Sequence, residues 1–122
     1  MLSFLKDAVK AATRAGFMAF RVAGDASWAL GDEPGCDQIA SYESLVDEYF
    51  ENAKPDMTTL CQYNIHRFPA ATIQAILYSH NAVVLANGKV VLNNPYHSSR
   101  FRPRSYDPIP LDRMLEHLTA EA

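Results

Sequence analysis

No stretch of this chain approaches the roughly 20 consecutive apolar residues that a membrane-crossing helix needs. Lys6, Asp7 and Lys10 interrupt the beginning of the chain, which excludes the unbroken apolar core of a secretory signal. Cysteine is scarce: Cys36 and Cys61 are too few for a disulfide framework. There is no Cys-x-x-Cys and no His-Glu-x-x-His, and His66, His80, His97 and His117 lie far apart, so no metal site is expected. The five glycines are scattered, and no Gly-x-x-x-x-Gly-Lys-Ser/Thr occurs. A phosphate-cradling loop is therefore missing, and neither ATP hydrolysis nor a bound cofactor is expected. Basic residues are outnumbered, giving a net charge of −3, a poor match for nucleic acid. Internal repeats and low-complexity linkers are absent too. These absences leave a cytoplasmic protein, with neither membrane nor nucleic acid as an expected partner.

What is present suits one small α/β domain over residues 1–122, with 48% hydrophobic residues to build a core. Leu2, Leu5, Val9 and Ala12 recur at helical spacing, and Gly16 is placed to cap that helix. Phe17 to Ala23 is an apolar run dense enough for a buried strand, broken by Gly24 and Asp25. Residues 31–37 read as loop. Ile39, Tyr42, Val46, Tyr49 and Phe50 give a second helical stripe, with Glu43, Asp47, Glu48 and Glu51 assigned to its wet side. Met57 to Tyr63 is a second strand. Pro69 is expected as the first residue of a third helix carrying Ile73, Ile76 and Leu77. Asn87-Gly88 between two apolar runs predicts a hairpin with a type I′ turn, which needs positive φ at both residues. Residues 97–110 are Arg- and Pro-rich and expected to be irregular. Pro110 opens a last helix with Leu111, Met114, Leu115 and Leu118 on one side.

Strands alternating with helices imply right-handed crossovers. The expected fold is a three-layer α/β sandwich with a short, mostly parallel sheet and a C-terminal hairpin. In such sheets ligands collect beyond the carboxyl ends of the strands, here Gly24-Asp25 and Tyr63-Asn64.

Three segments carry a resemblance. They are Phe20-Arg-Val-Ala-Gly-Asp-Ala-Ser-Trp-Ala-Leu30, then Leu60-Cys-Gln-Tyr-Asn64 with Arg67-Phe68-Pro69, then His80 with Asn94-Pro95-Tyr96. In this order and spacing the chain resembles the MEDS family, a sensory domain named from methanogens and methylotrophs, over roughly residues 1–98. The resemblance implies a degenerate relative of RecA-like ATPases and a sensor of small organic, hydrocarbon-like compounds within a regulatory protein. It corresponds to the family's C-terminal half. That implies a homodimer, or a partner chain standing in for the other half, because native proteins cover strand edges and apolar faces.

The candidate site follows from the strand ends: Asp25, Trp28, Cys61, Tyr63 and Asn94 would line one crevice. In a RecA-like frame Asp25 sits where a magnesium-organising acid would. As an ordinary turn residue it caps the chain after the strand, with Ser27 assisting. Trp28, the single tryptophan, either roofs an apolar pocket or fills core. Cys61 and Tyr63 share one side of their strand if the period is two. Arg21 and Arg67 are expected to pair with a carboxylate such as Glu43, Arg67 alternatively with a ligand's anionic group. His80 is expected to cap a helix C-terminus.

The leading expectation is a non-catalytic sensory or regulatory module that binds a small organic ligand or a signalling partner. One alternative is a half-domain that completes another protein's sheet. Another is a thiol-dependent hydrolase using Cys61 with His66 or His80, which requires a lowered thiol pKa. A last one is single-strand binding by Arg100, Arg102 and Arg104, interleaved with Phe101 and Tyr106.

Overall fold

A computed structural model of the chain describes residues 2–93 and 110–120. The chain divides into two compact units, Met1–Asn64 and Ile65–Ala122. Asn94 and most of the 97–110 segment, including Arg100, Arg102 and Arg104, lie outside the described residues. No helix among the described residues is long and apolar enough to cross a membrane.

The first unit opens with α1 (Leu2–Arg14), which buries Leu5 and lays Leu2 and Val9 against the same core. Its end is a Schellman cap. Gly16 takes φ +89°, its N–H donates to the Thr13 carbonyl, and the Phe17 N–H reaches back to Ala12. That cap moves the following strand. Phe17 belongs to the helix terminus and is 68% exposed, and Met18 is 93% exposed. The strand expected from residue 17 therefore starts at Phe20, whose N–H donates to the Asp56 carbonyl at 2.9 Å. As β1 it runs Phe20–Asp25, so Gly24 and Asp25 continue it rather than break it.

A short 3-10 helix (Ala26–Leu30) and a second (Cys36–Gln38) lead into α2 (Ile39–Ala53). Then β2 (Met57–Gln62) pairs parallel to β1, with Phe20 opposite Met57 and Asp25 opposite Gln62. A parallel pair needs a long crossover, and α2 supplies it. The core of this unit is Leu5, Val46 and Met57, with Val22, Tyr49 and Phe50 packed on it. Lys6 lies 5.3 Å from the Tyr49 ring centre, covering its face with a cation.

The buried stripe of α2 is Ile39, Glu43 and Val46. This corrects the placement of Glu43 on the wet side: it is 4% exposed. Positions 39, 43 and 46 follow the i, i+4, i+7 helical repeat, so geometry carries the acid inward with its neighbours.

In the second unit α3 (Ala70–Leu77) buries Ile73, Ile76 and Leu77, as its spacing predicts. Pro69 stands one position before the first helical residue, at the N-cap, because its ψ of 142° is extended. Its carbonyl still accepts from the Thr72 and Ile73 N–H groups. The strands β3 (Ala82–Val84) and β4 (Val90–Leu92) form the expected antiparallel hairpin as a second two-stranded sheet. Its turn is not type I′. Gly88 has φ +80°, but among the described residues Lys54 is the non-glycine with positive φ, and Asn87 is not. The Gly88 N–H donates to Leu85 and the Leu85 N–H to Lys89, the pattern of a three-residue loop closed by a glycine bulge. The helix α4 (Leu111–Ala120) buries Met114 and Leu118 on one face and packs against α3. The architecture is thus α/β: a short parallel pair crossed over by a helix, and an antiparallel hairpin flanked by helices.

Asn93 fastens β4 to the end of α3. Its side-chain N–H₂ donates to the Leu77 and His80 carbonyls, and its backbone N–H donates to Asn81. The residue is 4% exposed. Asn93→Ala strands two carbonyls of a helix end, and is expected to lower stability by about 1–3 kcal/mol. A urea midpoint unchanged within error would refute that assignment.

Candidate functional site

The carboxyl ends of β1 and β2 border a cavity of about 150 Å³ inside the first unit. Side chains at Thr59 and Cys61 reach it from alternate positions of β2, Val22 from β1, and Leu5 from α1. From α2 come Ile39, Tyr42, Glu43 and Val46; from the 3-10 turn after β1 come Ala26 and Trp28.

Asp25, the last residue of β1, also lines the cavity. Its carboxylate accepts from the Ser27 N–H at 2.8 Å and the Ser27 hydroxyl at 2.7 Å. It therefore caps the 26–30 turn, as the plain turn reading expects. That turn presents Trp28, 44% exposed, to the cavity. The Trp28 carbonyl is held by the Gly31 N–H at 3.2 Å and the Cys36 thiol at 3.3 Å, which fixes the turn to the second 3-10 segment.

Glu43 organises the polar part. The Tyr63 hydroxyl donates to one carboxylate oxygen, and the Cys61 thiol approaches the other at 3.6 Å. Cys61 and Tyr63 do share one side of the chain, and Glu43 is what they meet there. Burial first, and then the charge and hydrogen bond of Glu43, push the Cys61 thiol up to about 12. Burial and the Glu43 hydrogen bond and charge likewise push the Tyr63 hydroxyl far above its ordinary value. Tyr42 is raised too, by burial, by Glu43 and by Cys61.

Arg21 is an exposed residue of β1, and Arg67 is exposed in the second unit. His80, also in the second unit, places Nδ1 2.8 Å from the Ile76 carbonyl. Because a carbonyl only accepts, Nδ1 carries the proton there, and His80 caps the end of α3. Of the five crevice residues, Asp25, Trp28 and Cys61 line one cavity, Tyr63 joins it through Glu43, and Asn94 lies outside the described residues. Tyr42 and the inward turn of Glu43 were not foreseen. The helical repeat from Ile39 carries the signal for Glu43.

A thiol whose pKa rises from 9.0 to about 12 is almost wholly protonated at neutral pH. The thiolate fraction falls by a factor of about 1,000. The greater intrinsic reactivity of a more basic thiolate recovers part of this, leaving Cys61 roughly 30- to 60-fold slower than an ordinary thiol. In a Cys36→Ser chain at pH 7.5, reaction with an aryl disulfide should show that lag against the urea-unfolded chain. Equal rates folded and unfolded would restore the nucleophile reading.

The family model of the MEthanogen/methylotroph, DcmR Sensory domain (MEDS) matches residues 1–81. The match takes in both strands and the whole cavity, and ends before Asn94-Pro95-Tyr96. No curated protein and no solved structure shows significant similarity to the chain.

Proposed function

Since the chain belongs to the MEDS family of sensory domains, we propose that it works by binding a small organic molecule in the cavity at the ends of β1 and β2. The cavity is the observation that carries this reading. Its walls are mainly aliphatic and aromatic, with a few polar groups converging on one side, the usual composition of a small-molecule site. A cavity near 150 Å³ accommodates a molecule of about benzene's size. The ligand is thus held by Trp28, Tyr42, Glu43 and Cys61, and no covalent chemistry is assigned to any of them.

Trp28 is the single tryptophan, so its emission reports on this cavity alone. Titration with a panel of small organic compounds should shift that emission saturably for at least one member and raise the unfolding midpoint in parallel. A panel that moves neither signal sinks the reading.

A second reading rests on Phe17 and Met18, two large apolar residues exposed side by side before β1. They suit a protein contact, either with a second copy or with a partner chain. Light scattering on a sizing column decides between monomer and homodimer. If a dimer forms, Met18→Lys should dissociate it; a dimer indifferent to that change uses another face.

A further inference from the structure

Gly24 stands inside β1, a place where glycine weakens a strand: it loses the most backbone freedom on folding and brings no side chain to pack. Three ordinary reasons for a strand glycine fail here. Its φ is not positive; among the described residues the positive-φ glycines are Gly16, Gly35 and Gly88. It sits in no bulge, because the parallel register runs one for one from Phe20 opposite Met57 to Asp25 opposite Gln62. Nor does a neighbour press on it. Apart from its two chain neighbours, a Cβ at this position would meet no heavy atom of the described residues within 4 Å.

What lies over Gly24 is the cavity. Val22 and Gly24 occupy alternate positions of β1, so a side chain at 24 would share the face of Val22. Across the sheet Thr59 is opposite Val22 and Cys61 is opposite Gly24, and all four residues line the cavity. Three of them narrow it with side chains, whereas position 24 presents bare backbone. Gly24 is also exposed, so the space above it is open to an entering molecule. A strand glycine that serves neither backbone conformation nor protein packing marks a close approach from outside the chain.

We infer that Gly24 sets the size limit of the cavity: a molecule as broad as a six-membered ring rests directly on its Cα, and a side chain there excludes that ring while sparing thinner molecules. This deepens the ligand-binding reading above and rests on it. An extra methyl in a filled site weakens binding by about ten- to a hundredfold, the usual penalty of overpacking. The strand itself gains from the same change, because alanine gives up less backbone freedom than glycine and valine suits a pleated surface. Binding and stability therefore move in opposite directions at this one position.

The test compares the unmodified chain with Gly24→Ala and Gly24→Val, using cyclohexanol as the broad probe and 1-butanol as the thin one. Each is titrated while Trp28 emission and proton NMR spectra are followed, and urea midpoints are measured alongside. In the unmodified chain, bound cyclohexanol should give cross-relaxation from its ring protons to the Gly24 α protons. Gly24→Ala should weaken cyclohexanol by about tenfold or more and butanol by no more than about threefold. Gly24→Val should abolish cyclohexanol binding, and neither variant should unfold at lower urea than the parent. Ala23→Val is the control: Ala23 is exposed and is not among the lining residues, so both affinities should stay unchanged. Cyclohexanol binding equally well to the parent and to Gly24→Val would overturn the inference, as would missing cross-relaxation to Gly24. A lower urea midpoint in Gly24→Ala would overturn it too, since the fold would then need the glycine. So would a changed mass on a sizing column with binding intact, because a neighbouring chain would then be what approaches. Silence of the parent towards both probes overturns the size limit as well, and the wider panel then judges the ligand-binding reading separately.

Discussion

Glu43→Ala is expected to lower the unfolding free energy by about 1–3 kcal/mol, read as a shift in the urea midpoint at constant slope. The hydroxyl of Tyr63 and the thiol of Cys61 both lose their acceptor. Removing the side chain also leaves a void beside Ile39 and Val46, its neighbours on the buried face of α2. Against these losses stands one gain: a buried carboxylate no longer has to be desolvated. Glu43→Gln keeps the volume and one acceptor for Tyr63, and should be milder, about 1 kcal/mol or less. The two variants differ in a second readout. Glu43 raises the Cys61 pKa through both its charge and its hydrogen bond, whereas burial is the larger cause. In Glu43→Gln the charge is gone and burial stays, so Cys61 should react faster than in the parent chain but slower than an unfolded thiol. A Cys61 rate identical in parent and Glu43→Gln would show that Glu43 does not govern that thiol.

Leu118→Ala should be strongly damaging to the second unit, at about 2–5 kcal/mol. Leu118 is 2% exposed and Met114 is 1% exposed, one turn apart on α4. A side chain so enclosed cannot be replaced by water, and the packing around it relaxes only in part. The neighbouring exposed face gives the control: Glu116→Ala, on the wet side of the same helix, should stay within about 0.5 kcal/mol. Thermal unfolding followed by circular dichroism would compare the two. A Leu118→Ala midpoint close to that of Glu116→Ala would mean that α4 contributes little to the unit's stability.

The helices were legible in the sequence because an apolar repeat of 3.6 survives any detail of packing. Ile73, Ile76 and Leu77 on α3 and Met114 and Leu118 on α4 are buried as their spacing predicts. The same rule was misapplied to Glu43. Its charge outweighed its position, although 39, 43 and 46 define the inner face of α2 as plainly as an unbroken apolar row would. The start of β1 was hidden for a different reason. Phe17, Met18 and Phe20 look alike as apolar residues, and only the hydrogen bonds of the Gly16 cap separate a helix terminus from a strand. Asn87-Gly88 announced a hairpin correctly but not its loop length, because positive φ at Gly88 alone serves a three-residue loop equally well. Of the crevice, Asp25, Trp28 and Cys61 were placed by the ends of the strands. Tyr42 was not, since a tyrosine in a helical stripe reads as core until the cavity beside it is visible.

The 85–89 turn also bears on how the protein ages chemically. An Asn-Gly pair loses ammonia when the glycine nitrogen attacks the asparagine side-chain carbon and closes a succinimide. Here that nitrogen donates its hydrogen to the Leu85 carbonyl at 2.8 Å, and the Asn87 side-chain oxygen is held by the Lys89 N–H at 3.0 Å. Nucleophile and target are both occupied while the hairpin is closed. Ring closure has to wait for the turn to open, so the rate at which Asn87 converts to aspartate and isoaspartate during storage becomes a slow clock of hairpin opening, readable by mass spectrometry on unlabelled protein.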